Sequence, residues 1–145
     1  MSGEPLTAQV CTVLVYSDDA RIREQVRLGL GRRPAKDLPD LDFVEVATPW
    51  AVRKQLRSGG VDLAILDGEA APAGGLGVCR SVKDEIFDAP PLLVLLGRPQ
   101  DAWLASWSRA DGVAARPVDP MALTSVATDL LRARRTPAGA ELAHR

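Results

Sequence analysis

Two apolar runs of strand length each stop in acid, and this narrows what the chain can fold into. The first is Val13-Leu14-Val15-Tyr16-Ser17-Asp18-Asp19; the second is Val61-Asp62-Leu63-Ala64-Ile65-Leu66-Asp67-Gly68-Glu69. Runs this short and this apolar suit strands buried on both faces, as in a parallel sheet covered by helices on each side. Such a sheet delivers the carboxyl ends of its strands to one edge, where open α/β sheets bind ligands. Asp18, Asp19 and Asp67 are therefore expected to converge on one small pocket. Converging carboxylates suit a hard cation such as Mg²⁺, and a carboxylate beside Mg²⁺ can accept a phosphoryl group.

The rest of the chain alternates in the same way. Ile22, Val26 and Leu30 share one face of a helix over about 20–31, with Asp18 or Asp19 near its N-cap. A loop over 32–40 leads to a strand over 41–47. Thr48-Pro49 opens a second helix and Gly59-Gly60 ends it. A strand over 61–66, a Gly/Ala/Pro loop over 68–75 and a helix over about 75–87 follow. Then come a strand over 92–96, a helix over about 101–109, a strand over 113–116 and a helix over about 119–135. Five β-α units in series predict one doubly wound domain over 11–135, a flexible leader over 1–10 and a disordered polar tail over 136–145.

Composition serves mainly to exclude. With 46% hydrophobic and 26% charged residues the chain reads as a soluble globular domain, and its net charge of −1 gives no pull toward nucleic acid or membrane. No apolar run has bilayer-spanning length and the N-terminus lacks a signal-peptide pattern, so a cytoplasmic protein is expected. Cys11 and Cys79 then read as free thiols. The one histidine, His144, sits at the chain's end, and no nucleophile–base pair is visible. Gly74-Gly75-Leu76-Gly77 matches neither dinucleotide nor P-loop spacing and reads as a tight turn.

The order of the remaining motifs is more specific. Ile22-Arg23 follows Asp18 by four and five residues, and Gly75-Leu76 follows Asp67 by eight and nine, with Val78-Cys79-Arg80 next. Gly97-Arg98 comes after the fourth apolar run, and Arg116-Pro117-Val118-Asp119-Pro120 after the fifth. Over about 11–133 this set resembles the receiver domain of two-component response regulators, which carries Lys-Pro at the last motif. The resemblance implies a flavodoxin-like (β/α)5 fold with strand order 2-1-3-4-5. Helices one and five would cover one face and helices two, three and four the other. It also implies a cis Arg116-Pro117 bond. Asp67 would be the phosphoacceptor; Asp18, Asp67 and the backbone carbonyl of Glu69 would hold Mg²⁺. Position 116 would pair with phosphate, and the partner would be a sensor histidine kinase or other signalling protein.

Four positions depart from the family pattern. Ser17 replaces an acid, Leu96 a hydroxyl residue, Arg116 the lysine, and Val113 an aromatic. Arginine keeps the charge but not a compact ammonium, so that exchange is not neutral. Arg116 can pair with Asp67 in place of phosphate, and Asp19 can serve as a helix cap where it does not compensate for Ser17. The expectation is an atypical single-domain response regulator, not an enzyme, that binds Mg²⁺ weakly, depends little or not at all on phosphorylation and acts by protein contact. One alternative is a conventional Asp67 phosphoacceptor in a phosphorelay. Another is a small flavodoxin-like ligand-binding protein or enzyme, against which no glycine-rich turn follows the first strand. Trp103 and Trp107 lie four apart on a short helix and share a face, which suits a partner surface or a homodimer.

Overall fold

Five strands, all paired in parallel, form a single sheet in the order β2-β1-β3-β4-β5. The computed structural model describes residues 10–71 and 73–135. The leader expected over 1–10 thus lies outside the described residues except for Val10, which begins the first strand; the tail expected over 136–145 lies outside them entirely. The elements run β1 (Val10–Tyr16), α1 (Ala20–Leu30), β2 (Asp40–Val46), α2 (Pro49–Ser58), β3 (Leu63–Asp67) and α3 (Gly75–Glu85). Then follow β4 (Leu92–Leu96), a 3₁₀ turn (Pro99–Asp101), α4 (Ala102–Ser108), β5 (Gly112–Ala115) and α5 (Pro120–Arg135). This is the doubly wound α/β fold expected, in the expected strand order.

The pleat divides the core in two. Along β4, Leu93 and Leu95 enter one cluster with Ile22, Val26 and Leu30 of α1 and Leu123, Ala127 and Leu131 of α5. Leu92, Val94 and Leu96 enter the other, with Val52 and Leu56 of α2 and Val78, Cys79 and Val82 of α3. α4 joins this second layer, where the Cys79 thiol donates to the Ser108 carbonyl at 3.3 Å. Every position of β3 and β4 is buried. Each fully buried Leu or Val side chain contributes roughly 1.5–3 kcal/mol relative to exposure, so the two central strands hold both layers to the sheet. The only acid among these ten positions is Asp67.

Local signals set most helix starts. Asp19 caps α1 through the Arg21 N–H, and Thr48 caps α2 through the Ala51 N–H with Pro49 at the first position. β3 starts at Leu63, not at Val61, because Asp62 is held across the sheet: its carboxylate accepts the Thr12 N–H and its own N–H donates to the Thr12 carbonyl, both at 2.8 Å. The glycine run before α3 is a close approach. A Cβ on Gly75 would lie 2.8 Å from the Leu66 carbonyl oxygen and 2.9 Å from that of Asp67, so only glycine lets the first turn of α3 rest on the end of β3. Among the described residues no helix is long and apolar enough to cross a membrane.

Candidate functional site

The carboxyl ends of β1, β3, β4 and β5 meet at one edge of the sheet, and the site is built there. Asp67, the last residue of β3, is 2% exposed. Each of its oxygens is engaged. Oδ1 accepts from Arg116 Nη1 and from the Glu69 N–H, both at 2.9 Å, and Oδ2 accepts from the Ser17 hydroxyl at 2.7 Å. Ser17 is itself fully buried, and its Oγ accepts the Asp19 N–H at 3.0 Å. The Ser17 carbonyl in turn accepts from Arg23 Nη1 at 2.6 Å, and Arg23 pairs with Glu45 of β2. Arg116 comes from just beyond β5, where the Arg116-Pro117 bond is cis as expected, and its side chain is 24% exposed. A buried carboxylate is thus matched by one cation and two neutral donors, which is how a buried charge is kept without a large penalty.

The other expected pocket residues separate. Asp18 is exposed, and its Oδ1 accepts the Ala71 N–H at 3.0 Å, tying β1 to the loop after β3. Asp19 turns to α1 as its cap. The Arg21 N–H and guanidinium hold its carboxyl below the usual 3.8. Leu96 is buried in the layer of α2, α3 and α4, and presents no polar group to Asp67. Glu69 gives its N–H to Asp67 while its side chain lies over Gly97; a Cβ there would be 2.6 Å from Glu69 Cγ. Below the site Tyr16 is fully buried and donates its hydroxyl to the Ala73 carbonyl at 2.6 Å. Burial first, then the charges of Asp18 and Asp67, push this phenol above its usual 10.0.

An open cleft of about 470 Å³ lies beside Asp67, lined by Ile22, Gln25, Glu69, Gly97, Arg116 and Pro117. Sequence reasoning missed Gln25, which lies one helical turn after Ile22 and so shares its end of α1. It also left Arg23 without a role; its only signal was a fixed spacing after Asp18.

The lone pairs decide whether this set fits a divalent cation. Asp67 already accepts three hydrogen bonds, Asp18 is turned to a backbone amide, and Ser17 brings a hydroxyl, donated to Asp67, where a third carboxylate would stand. Among the described residues no three His, Cys, Asp or Glu side chains group as a metal site. As arranged, the ligand set expected of Asp18, Asp67 and the Glu69 carbonyl does not fit Mg²⁺, because Arg116 already supplies the positive charge that the metal would bring.

Trp103 and Trp107 stand away from the cleft on α4, 70% and 46% exposed. Trp107 lies against α3: Arg80 sits 4.9 Å over its ring and donates to its carbonyl at 2.6 Å.

No protein-family model matches the chain. It is 53% identical over 129 residues to each of two curated Mycobacterium tuberculosis proteins, from strains H37Rv and CDC 1551, both called uncharacterized response regulatory proteins. The match covers 89% of this chain and 97% of either relative. Among solved structures, a putative response regulator from Chloroflexus aurantiacus superposes with a TM-score of 0.73 at 21% identity, over 86% of this chain and 99% of that one. A CheY-like response regulator receiver domain protein from Methanospirillum hungatei gives 0.67 at 15% identity, over 87% and 97%. These likenesses speak to the fold.

Proposed function

The chain belongs to the response regulators, as its 53% identity to relatives so named shows, and on that premise we propose that it is a receiver module whose output depends weakly or not at all on phosphorylation of Asp67. One observation carries this reading: both oxygens of Asp67 are already matched, by Arg116 at 2.9 Å and by Ser17 at 2.7 Å. Receiver domains typically hold Mg²⁺ at this position, and the cation offsets charge as a phosphoryl group approaches. Here the Arg116 guanidinium stands on the carboxylate itself. Phosphorylation has to displace it and recruit a metal to a site short of one acid. Leu96 then offers the phosphoryl group no hydroxyl. The module accordingly acts through a contact surface that is competent as folded, with Trp103 and Trp107 on it, toward a kinase, another signalling protein or a second copy.

A conventional phosphoacceptor is the second reading. It is favoured by the place of Asp67 at the end of β3 and by the cleft beside it, which has Arg116 in its wall. Incubation with acetyl phosphate and Mg²⁺ followed by intact-mass measurement separates the two. The proposal expects little or no adduct. Stoichiometric phosphorylation that Asp67→Asn abolishes would establish the second reading instead.

A further inference from the structure

All three tryptophans of the chain stand exposed on the layer made by α2, α3 and α4: Trp50 at 68%, Trp103 at 70% and Trp107 at 46%. Side chains join the three helices into one surface. Arg53 of α2 donates to Ser81 of α3 at 2.7 Å, Arg57 reaches Glu85 at 3.2 Å, and Arg80 bonds the Trp107 carbonyl. Packed helices lie about 8–10 Å apart, so this surface is roughly 20 Å across, enough for the ~800 Å² that each partner contributes to a standard interface.

Its charge is opposite to that of the whole chain. Arg53, Lys54, Arg57, Arg80 and Lys83 face only Asp84 and Glu85 on these helices, while α4 carries no charge, so the layer stands at +3 against −1 for the whole sequence. Most of these cations have acids nearby: Arg53 and Arg57 share Glu85, and Lys83 holds Asp111. Lys54 and Arg80 do not. Among the described residues neither pairs with a carboxylate; each instead caps a tryptophan, Lys54 over Trp50 at 5.0 Å and Arg80 over Trp107 at 4.9 Å. A groove of about 600 Å³ runs along Trp50, Arg53, Lys54, Arg57 and Ser58.

We propose that this layer docks an acidic, partly apolar surface of another protein, whose carboxylates pair with Lys54 and Arg80 while its apolar side chains rest against the tryptophans. An exposed cation–aromatic pair is worth about 0.5–1 kcal/mol and strengthens when desolvated, and Trp and Arg are the residues most enriched where interfaces draw their affinity. A single-stranded nucleic acid fits less well. It needs free ring faces for stacking and a dense run of cations along its backbone, whereas two of these rings already carry a cation and three of the five cations have acids beside them. The proposal rests on the reading that the module works by contact, and not on the state of Asp67.

The test is calorimetric titration of the full chain with a synthetic amphipathic peptide bearing Glu and Leu at helical spacing. Its Lys-for-Glu counterpart and a single-stranded oligouridylate serve as comparison ligands. The acidic peptide is expected to bind saturably and more weakly as salt rises, and each of Lys54→Glu and Arg80→Glu should lower its affinity about tenfold with the far-ultraviolet dichroism unchanged. Four outcomes would overturn the proposal: no saturable binding, equal binding of the Lys peptide, indifference to both charge reversals, or tighter binding of the oligouridylate. Self-association in sedimentation that the same reversals abolish would also overturn it, by making the occupant a second copy. If acetyl phosphate modifies Asp67 and the peptide still binds, only the reading of the pocket falls. If Asp67 stays unmodified and the peptide does not bind, only this face falls.

Discussion

Asp67 is held by groups from three segments: Ser17 after β1, Glu69 in the next turn and Arg116 after β5. Removing any one donor leaves a buried acceptor short of a partner. Arg116→Ala should destabilise the fold by about 1–3 kcal/mol, the cost of a buried acceptor left short of a partner and less than the roughly 3–5 kcal/mol of a fully buried broken pair, because the Arg116 guanidinium is partly solvated. Urea unfolding checks this; an unchanged midpoint would show the pair to be idle. Ser17→Asp should place a second carboxylate where a hydroxyl now donates at 2.7 Å. The melting temperature should fall in chelator and recover in millimolar Mg²⁺, because like charges this close need a cation between them. A variant indifferent to Mg²⁺ would mean that the missing acid is not what excludes the metal. Asp67 could be placed at the sheet edge from the sequence because it ends a strand and strand ends gather there, whereas Ser17 and Arg116, one residue past β1 and β5, were singled out through the family resemblance. The direction taken by Asp18 was not legible, since it depends on an amide in a loop far along the chain. Nor was the position of Glu69 over Gly97, a contact between two loops.

At the scale of elements, the sequence spoke most clearly where a partner lies within a turn. Asp19 and Thr48 cap their helices through amides two and three residues on, and both caps could be read from residue type. The start of β3 could not, because the decisive partner of Asp62 is Thr12 on another strand. The Asp19 cap makes a prediction about acid. Its carboxyl titrates below the usual 3.8 because the Arg21 N–H and guanidinium favour the charged form. A depressed folded value means that the stabilisation is complete above the unfolded value and is lost as pH falls through the folded one. Asp19→Asn keeps a capping side chain that does not titrate. The variant should match the parent near neutrality and lose less stability between about pH 5 and pH 2, as followed by thermal melts. A parallel loss in both would remove Asp19 from the acid response.

The molecule as a whole was legible in its alternation of strands and helices, but periodicity does not order strands, and the 2-1-3-4-5 arrangement came from the family resemblance. The basic layer was hidden for a different reason. Net charge averages over all faces, and Trp50 lies far from Trp103 and Trp107 in sequence until the winding of the sheet brings their helices into one layer. Burial also governs the thiols. Cys79 is pushed up to about 11, first by desolvation, and Cys11 is raised for the same leading reason. Both are free and buried, so neither should react with Ellman's reagent near neutral pH until the chain unfolds, when both should. Prompt labelling of the folded protein would count against so closed a core. The placement of the indoles has an optical consequence. Trp50 and Trp103 are already largely in water in the native state and Trp107 is about half so, while the single tyrosine is sealed beneath the sheet edge. Native emission should therefore sit near the wavelength of a solvated indole, and denaturant should shift it little even as the dichroism of the helices collapses. For this protein, tryptophan fluorescence is blind to melting and sensitive to whatever comes to rest on its surface.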